Sequence, residues 1–283
     1  MNLANIKTIE NILREGGFSF KKSLGQNFLI NPEVCPAMAN ATCDESTGVI
    51  EIGPGIGVLT TELAKTAKKV VAIELDERLK PILAKTLAKH ENIKVIFGDA
   101  MKLPLDEIIK TEFSGCERVC VCANLPYYIT SPIIMMLLES RLPLDKITVM
   151  VQKEAAERIC AEVGSRDAGA VTVAVNYYAD SEILFGVRRN SFMPPPNVDS
   201  AVITLKVRKQ PSVEVKNEKN FFKFVKACFA QRIKTLVNTV SNSLGIEKEK
   251  IKATLNTLNL QETVRSEQLT MQQLASISNN IFE

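Results

Sequence analysis

The sequence lacks the features of membrane and secreted proteins. None of its apolar runs approaches the length needed to cross a bilayer, and its N-terminus lacks the charged and then apolar pattern of a signal peptide. Its seven cysteines are odd in number and irregularly spaced, which is typical of reduced thiols rather than of a disulfide framework. We therefore expect a cytoplasmic protein with no membrane partner.

Residues that bind metals are also scarce. The sequence holds one histidine, His90, which we place at the surface near the end of a helix. Cys120 and Cys122 lie in one apolar run with both thiols on the same face, but no second cysteine pair or histidine cluster accompanies them to complete a zinc site. We therefore expect no metal site.

The charge is unevenly distributed along the chain. The net charge of the 283 residues is +3, which is too small to indicate a partner. From Lys209 to the end, however, there are 11 Lys and Arg residues against 7 Asp and Glu, while residues 1–208 have 24 against 25. The basic excess is therefore confined to the C-terminal region, where it favours an anionic partner.

Four apolar runs predict buried strands, at residues 48–52, 69–73, 93–97 and 119–123. Each run ends in a polar or glycine-rich segment, in the order Gly53-Pro54-Gly55-Ile56-Gly57, Glu74-Leu75-Asp76, Gly98-Asp99-Ala100 and Asn124-Leu125-Pro126-Tyr127. A doubly wound sheet presents the carboxyl ends of such strands along one crevice. The order of the segments therefore predicts one ligand site built by all four.

The first three segments have the residue types of a nucleoside site. The glycines allow the backbone to approach a ligand, although the G-x-G-x-G spacing differs from that of dinucleotide enzymes. Glu74 is placed to accept from a ribose diol, with Asp76 as an N-cap. Asp99 can accept from an adenine amino group, while Ala100 leaves room for the ring. The alternatives are that Glu74 is only an N-cap and that Gly-Asp forms a turn.

The fourth segment has the residues needed to activate a planar amino group. The Asn124 side-chain oxygen and the Leu125 carbonyl would accept its two N–H bonds, and Pro126 would fix the direction of that carbonyl. Tyr127 would offer a face on which a base stacks. The alternative is a strand followed by a proline turn with an aromatic packing residue.

Further along the chain, residues 170–178 and 201–207 predict two extended strands that form an antiparallel pair closing the sheet. The Pro-rich loop between them carries the cations Arg188 and Arg189 and an exposed aromatic residue, Phe192. Polyproline stiffness would hold Phe192 as the second face of a base site. A linker or a peptide-binding segment is the alternative.

Both ends of the chain predict helices. Ile6, Ile9 and Ile12 recur at helical spacing near the N-terminus, and Asn31 with Pro32 predicts the start of the next helix. Beyond a boundary after residue 208, we predict a small helical domain, with one face lined by Lys216, Lys219, Lys223, Lys226 and Lys234. Such a face either binds an anion or is simply solvated.

Taken together, seven segments resemble a known family along essentially the whole chain: KKSLGQNFLIN, EIGPGIG, IELD, GDAM, NLPYYITSP, QKEAAERI and FMPPPNVDSAV. They resemble the KsgA-type ribosomal RNA adenine dimethyltransferases. The resemblance implies an α/β fold of the class I S-adenosylmethionine-dependent methyltransferases, with a Rossmann-like, mostly parallel sheet. It assigns this fold to residues 1–208, where residues 1–30 form an N-terminal helix and donor-gating segment, and an RNA-binding helical domain to residues 209–283.

The implied activity is N6,N6-dimethylation of two adjacent adenosines near the 3′ end of small-subunit rRNA, within a pre-ribosomal particle, by a monomer using S-adenosylmethionine. The implied donor contacts are Asn27, Leu29, Gly53, Gly55, Glu74, Leu75, Asp99, Ala100 and Asn124. The target base would be held by Asn124, Leu125, Pro126, Tyr127 and Phe192. The RNA contacts would be Lys21, Lys22, Arg188, Arg189, Lys219, Lys223 and Lys226.

Two alternatives stay open from the sequence. One is the related methylation of large-subunit rRNA that confers resistance. The other is a ribosome-assembly factor whose binding role outweighs catalysis. The presence of Glu74, Asp99 and Asn124 together favours an enzyme, because a protein that only binds has no need of a donor site.

Overall fold

A computed structural model of the protein describes residue 3, residues 5–15, residues 28–231 and residues 233–283. Its helices are α1 (Ile6–Glu15), α2 (Val34–Thr42), α3 (Val58–Thr66), α4 (Lys80–Thr86), α5 (Leu105–Glu112), α6 (Thr130–Glu139), α7 (Lys153–Ile159), α8 (Ala170–Tyr178), α9 (Glu218–Cys228), α10 (Leu236–Leu244), α11 (Lys248–Thr257) and α12 (Met271–Ile281). Its strands are β1 (Phe28–Leu29), β2 (Thr47–Ile52), β3 (Lys69–Glu74), β4 (Ile93–Phe97), β5 (Arg118–Asn124), β6 (Lys146–Gln152), β7 (Ala179–Val187), β8 (Phe192–Met193) and β9 (Ser200–Val207). No helix in these ranges is long and apolar enough to cross a bilayer.

In the described part of the chain, seven strands form one sheet in the order β4-β3-β2-β5-β6-β9-β7. The pairs from β4 to β6 are parallel, and β9 runs antiparallel to β6. The predicted mostly parallel sheet with antiparallel closure is thus confirmed. Every residue of β2 is buried, which explains why the predicted strands appear as continuous apolar runs.

The chain changes direction across the sheet at β2. It builds β2, β3 and β4 outwards on one side and then returns to place β5 on the other side of β2. In open α/β sheets, such a switch point opens a crevice at the carboxyl ends of the strands. The four segments that end β2, β3, β4 and β5 are therefore brought to one edge, as predicted.

One predicted strand is wrong. Residues 170–178 form the helix α8, and the strand that closes the sheet is β7, which begins at Ala179. The run is rich in β-branched residues, but its helix is buried on several sides, so its apolar pattern does not distinguish helix from strand. Tertiary packing overrides the strand propensity here. The Thr172 hydroxyl also favours the helix, because it accepts from the Gly169 N–H at 2.9 Å.

The start of α2 also differs from the prediction. The helix begins at Val34, with Glu33 rather than Asn31 at the N-cap position. The Asn31 side chain instead accepts from the Glu33 N–H at 3.0 Å and donates to Ser191 Oγ at 3.3 Å. Asn31 therefore tethers the segment before α2 to the Pro-rich loop. The predicted N-terminal helix, in contrast, is confirmed as α1.

The chain divides into two compact units. The first comprises Met1–Ala156 and Glu182–Val207, and the second comprises Glu157–Ser181 and Arg208–Glu283. Residues 157–181, which the resemblance places in the first domain, group with the C-terminal helices. A domain boundary after residue 208 stays a prediction.

The second unit is helical and has an aromatic core. Phe221 and Phe224 on α9 are fully buried, and the Tyr177 and Tyr178 hydroxyls both donate to the Glu218 carboxylate. Lys219, Lys223 and Lys226 lie on the opposite, exposed face of α9. The predicted lysine face is therefore present for these three residues. Lys216 and Lys234, which were predicted to belong to the same face, lie before and after α9, because the helix spans only Glu218–Cys228. Helix α10, which the sequence analysis did not predict, completes the unit together with α11 and α12.

Candidate active site

A cavity of about 300 Å³ opens at the carboxyl ends of the central strands in the first unit. Its lining includes almost all the residues that the sequence predicts for the donor and the base, namely Leu29, Gly53, Gly55, Glu74, Leu75, Asp99, Ala100, Asn124, Leu125, Pro126, Tyr127 and Phe192. Asn27 lies outside the described residues, as do Lys21 and Lys22. The structure thus brings the segments that end four strands into one concave site.

The glycine-rich turn after β2 lets the backbone form the floor of this cavity. Gly53 and Gly55 adopt φ values of +75° and +60°, which side chains with a Cβ rarely adopt. A Cβ on Gly55 would also lie 3.2 Å from the Phe28 ring. A substitution at Gly55 would therefore both strain the turn and crowd the cavity wall.

Glu74 ends β3 and turns its carboxylate towards this glycine turn. It accepts from the Gly55 N–H at 3.2 Å and from the Asp76 N–H at 2.8 Å. Burial raises the pKa of Glu74, and these backbone hydrogen bonds oppose the shift. Asp76 accepts from the Arg78 N–H at 3.2 Å and caps the short 3-10 turn that follows, as predicted. The Glu74 carboxylate is therefore held against the glycine turn, whereas Asp76 caps the turn that follows β3.

Asp99 follows β4, and its position agrees with both interpretations of the sequence, a turn residue and a residue of the ligand site. One of its carboxylate oxygens accepts from the Met101 N–H at 3.0 Å, which is the turn interaction given as the alternative. The residue nevertheless lines the cavity, beside the buried Ala100. Its other oxygen, Oδ2, forms an ion pair with the exposed Lys102 Nζ at 3.4 Å. A ligand at the cavity wall would therefore share that oxygen with Lys102.

Glu51 is a cavity residue that the sequence analysis missed. Its side chain is only 1% exposed, and its Oε2 atom has no hydrogen-bond partner among the described residues. Burial raises its pKa from 4.5 to about 8; the neighbouring Thr60 hydroxyl opposes this shift, and the charge of Glu74 adds to it. The sequence signal that identifies Glu51 is an acidic residue inside an otherwise apolar strand. Such an orphaned acceptor suits a ligand that brings a cationic donor.

The segment after β5 presents polar acceptors and an aromatic ring. Asn124 is the last residue of β5, and its side chain makes no hydrogen bond within the described ranges. Pro126 has φ −57° and leads into a 3-10 turn over Tyr127–Ile129. The Tyr127 hydroxyl lies 2.8 Å from Ser200 Oγ, and burial raises the pKa of the phenol. The Asn124 amide is therefore available to a ligand, while the Tyr127 ring is fixed.

Phe192 is not the exposed loop residue that the sequence predicted. It is 3% exposed and belongs to β8, which pairs antiparallel with β1 and aligns Phe192 with Leu29. The pairing is extended by a hydrogen bond from the Ile30 N–H to the Ser191 carbonyl at 2.8 Å. A two-stranded ribbon rather than polyproline stiffness therefore positions Phe192 in the cavity wall.

The predicted RNA-binding cations lie in both units. Arg188 and Arg189 are exposed just before β8, and the Arg189 N–H donates to Asp199 Oδ1 at 2.9 Å. Asp199 directly precedes Ser200, the partner of Tyr127, so this loop is anchored beside the base-side wall of the cavity. Lys219, Lys223 and Lys226 belong to the second unit, on the exposed face of α9.

The family described as ribosomal RNA adenine dimethylase matches residues 17–282. The chain belongs to this family. Curated relatives named ribosomal RNA small subunit methyltransferase A include one from Geobacillus sp. (strain WCH70), 48% identical over 95% of this chain and 94% of the relative. Another, from Anoxybacillus flavithermus, is 47% identical over 99% of this chain and 97% of the relative.

Solved structures agree with this assignment. A dimethyladenosine transferase from Plasmodium falciparum has a TM-score of 0.73 and 28% identity, covering 88% of this chain and 95% of that one. The 23S rRNA methyltransferase ErmE has a TM-score of 0.68 and 25% identity, covering 91% of this chain and all of that one. The protein is thus a class I S-adenosylmethionine-dependent methyltransferase that dimethylates adenine in ribosomal RNA.

The cavity fits this methyl donor. A ribose diol needs an acceptor at the end of the second strand of the motif, where Glu74 lies. The donor's ammonium group would bring a cationic hydrogen-bond donor, and Glu51 Oε2, which has no partner among the described residues, would be the buried acceptor for it. When bound, the donor supplies a methyl group already activated by its sulfonium charge.

Proposed function

We propose that this protein dimethylates N6 of two adjacent adenosines near the 3′ end of small-subunit rRNA, during small-subunit biogenesis. The names of the curated relatives support the small subunit as the source of the substrate, because this chain covers almost their whole length. The observation that carries the proposal is the Asn124 amide, which has no partner in the described structure and lies beside the fixed Tyr127 ring in one cavity.

On the donor side, we assign each strand end one part of the ligand. Glu74 accepts from the ribose hydroxyls, and Asp99 accepts from the adenine amino group beside Ala100. Gly53 and Gly55 have no side chains, so the donor can approach their backbone closely. Leu29, Leu75 and Asn27 complete the contacts with the donor. Leu75 supports a contact with an apolar part of the donor, because it is 56% exposed at the cavity lining.

On the acceptor side, Asn124 and Leu125 act on the exocyclic amino group of an adenine that has left its stack. Their oxygens accept its two N–H bonds and draw them out of the plane of the ring, which frees the nitrogen lone pair. Pro126 fixes the Leu125 carbonyl. Tyr127 and Phe192 hold the ring between them.

The reaction then needs alignment rather than a strong base. The nitrogen, the methyl carbon and the sulfur must lie in line, and the cavity supplies this by holding both partners at adjacent strand ends. The proton leaves after the nitrogen has become cationic, so Asn124 and Leu125 matter most as positive charge develops. No histidine or cysteine of this chain is required.

Binding to the RNA rests on basic residues outside the cavity. Arg188 and Arg189 lie beside its base-side wall, and Lys219, Lys223 and Lys226 supply a phosphate-binding face on the second unit. Lys21 and Lys22 belong to the same group of RNA contacts. We propose that the protein acts as a cytoplasmic monomer on a pre-ribosomal particle, where such dispersed contacts can span folded rRNA.

The decisive experiment incubates the protein and labelled S-adenosylmethionine with small subunits that lack the modification, and then maps the labelled nucleotides. Large subunits and free rRNA serve as parallel substrates. Two adjacent dimethylated adenosines near the 3′ end of the small-subunit rRNA are expected. Labelling of large-subunit rRNA instead would support the resistance-type activity, and tight particle binding without transfer would support an assembly factor.

A further inference from the structure

Tyr128 is a second aromatic residue at the cavity, and the assigned contacts do not use it. It follows Tyr127 directly and lines the same cavity, yet it is 59% exposed. Its hydroxyl makes no hydrogen bond and its ring makes no aromatic contact within the described part of the chain. Tyr127, in contrast, is partly buried and bonded to Ser200. Contacts within the protein therefore account for the position of the Tyr127 ring but not for that of the Tyr128 ring.

The backbone holds Tyr128 in a fixed place. The Ile129 N–H donates to the Pro126 carbonyl at 3.1 Å, and the Thr130 hydroxyl donates to the same carbonyl at 3.3 Å. These bonds close the 3-10 turn that carries both tyrosines and join it to α6. An exposed ring on a backbone ordered in this way is suited to binding, because little entropy is lost when a ligand covers it.

We propose that Tyr128 is the stacking platform for the nucleotide adjacent to the target adenosine. This inference rests on the proposed function, in which that neighbour can be the second adenosine. When the target base leaves its stack, the neighbouring base loses a partner on one side. An exposed aromatic face beside the cavity replaces that partner, and adenine offers a large face for stacking.

The platform makes the two adenosines inequivalent. The RNA enters the cavity with one chain polarity, so Tyr128 lies on either the 5′ or the 3′ side of the target base. Only one of the two adenosines then has the other adenosine as its stacked neighbour. Tyr128 therefore favours methylation of one member of the pair when both are unmodified.

The test measures the rate of dimethylation at each adenosine separately, by mass spectrometry of the rRNA from unmodified small subunits. Tyr128→Ala is compared with Tyr128→Phe and with Ile183→Ala, which truncates an exposed residue of β7 outside the cavity lining of the described structure. We expect Tyr128→Ala to slow one adenosine by about tenfold, within the range of base stacking, and the other by less than threefold. Tyr128→Phe and Ile183→Ala should match the wild type.

Two further measurements identify the contact. Changing the stacked adenosine to uridine should slow methylation of the remaining adenosine by the wild type but not by Tyr128→Ala. The RNA change and the protein change remove the same stacking interaction, so their effects should not add. Donor affinity measured by calorimetry should be unchanged in Tyr128→Ala. Equal slowing of both adenosines by Tyr128→Ala, additive effects of the RNA and protein changes, or a matching loss of donor affinity would each overturn the platform. Wild-type protein that leaves both adenosines unmodified would overturn the proposed function itself.

Discussion

The Tyr127 hydroxyl and Ser200 Oγ lie 2.8 Å apart and join the turn after β5 to the first residue of β9. Ser200 is 1% exposed, so this hydrogen bond is largely shielded from water. It fixes a ring whose face lines the cavity, and it connects that ring to the loop that carries Arg188 and Arg189. The orientation of the Tyr127 ring therefore depends on Ser200, a residue outside the cavity lining.

We expect Ser200→Ala and Tyr127→Phe each to slow single-turnover methyl transfer by about 2- to 10-fold, because each removes one hydrogen bond with a net contribution of about 0.5–1.5 kcal/mol. The double variant should be no slower than either single variant, since both remove the same bond. Tyr127→Ala should lose a further contribution from stacking, about 1–3 kcal/mol. Additive losses in the double variant would show that the bond does not position the ring.

Asn124→Ala should reduce the single-turnover rate about a hundredfold to a thousandfold, because it removes a preorganised acceptor that matters most in the transition state. Affinity for the small subunit should barely change, since phosphate contacts dominate it. Asn190→Ala, which truncates an exposed residue of the Pro-rich loop, is the matched control. Near-normal transfer by Asn124→Ala would place the active centre elsewhere.

Glu74→Ala should weaken donor binding by roughly 1.5–3 kcal/mol, because the ribose hydroxyls would lose a charged acceptor. Isothermal titration calorimetry measures this directly, without RNA. Glu77→Ala removes an exposed carboxylate three residues away and should leave the affinity unchanged. If both variants bind the donor as the wild type does, the ribose assignment of Glu74 is wrong.

Changing Lys219, Lys223 and Lys226 together to Glu should weaken particle binding and reduce its dependence on salt, because fewer counterions are released. The slope of log affinity against log salt should fall by roughly one unit for each lost phosphate contact. The same change at Lys80, Lys85 and Lys89 alters the net charge equally and separates a general charge effect from a local one. Equal losses in the two triple variants would argue against a specific lysine face.

Glu51 predicts a pH dependence of stability in the donor-free protein. Its pKa is raised by burial from 4.5 to about 8, so the folded state retains a proton that the unfolded state releases. This contribution is complete below pH 4.5 and is lost as the pH rises through about 8. Between these values Glu51→Gln should flatten the decline by up to roughly 1.4 kcal/mol per pH unit in urea unfolding. Parallel wild-type and variant curves would contradict this.

The sequence predicted the site better than it predicted the closing part of the fold. Glu74, Asp99 and Asn124 were identifiable because each follows an apolar run that only a buried parallel strand explains, and sheet topology then brings strand ends together. Residues 170–178 were misassigned because a short apolar run buried on several sides has no periodicity that separates helix from strand. Local pattern could not supply that tertiary information.

The errors at individual residues have a similar origin. Phe192 was predicted to be exposed because its neighbours are prolines and cations, whereas its burial depends on pairing with β1, more than 160 residues earlier in the sequence. Cys35 and Met38 line the cavity from α2 but have no chemical feature that marks them as site residues. Contacts between such distant segments are set by the folded topology, which a local motif does not record.

The ribbon of β1 and β8 places Leu29 and Phe192 in register, and in the proposed function these residues contact the donor and the target base. Leu29 cannot shift along its strand without breaking the backbone pairing that positions Phe192. A shift of Leu29 on donor binding would therefore move Phe192 as well, and any coupling between donor and base binding that results is reciprocal. Whatever factor a bound donor contributes to the capture of adenine, a captured adenine contributes to the retention of the donor. In the proposed function, the rRNA would then influence the exchange of the spent donor between the two methylation steps.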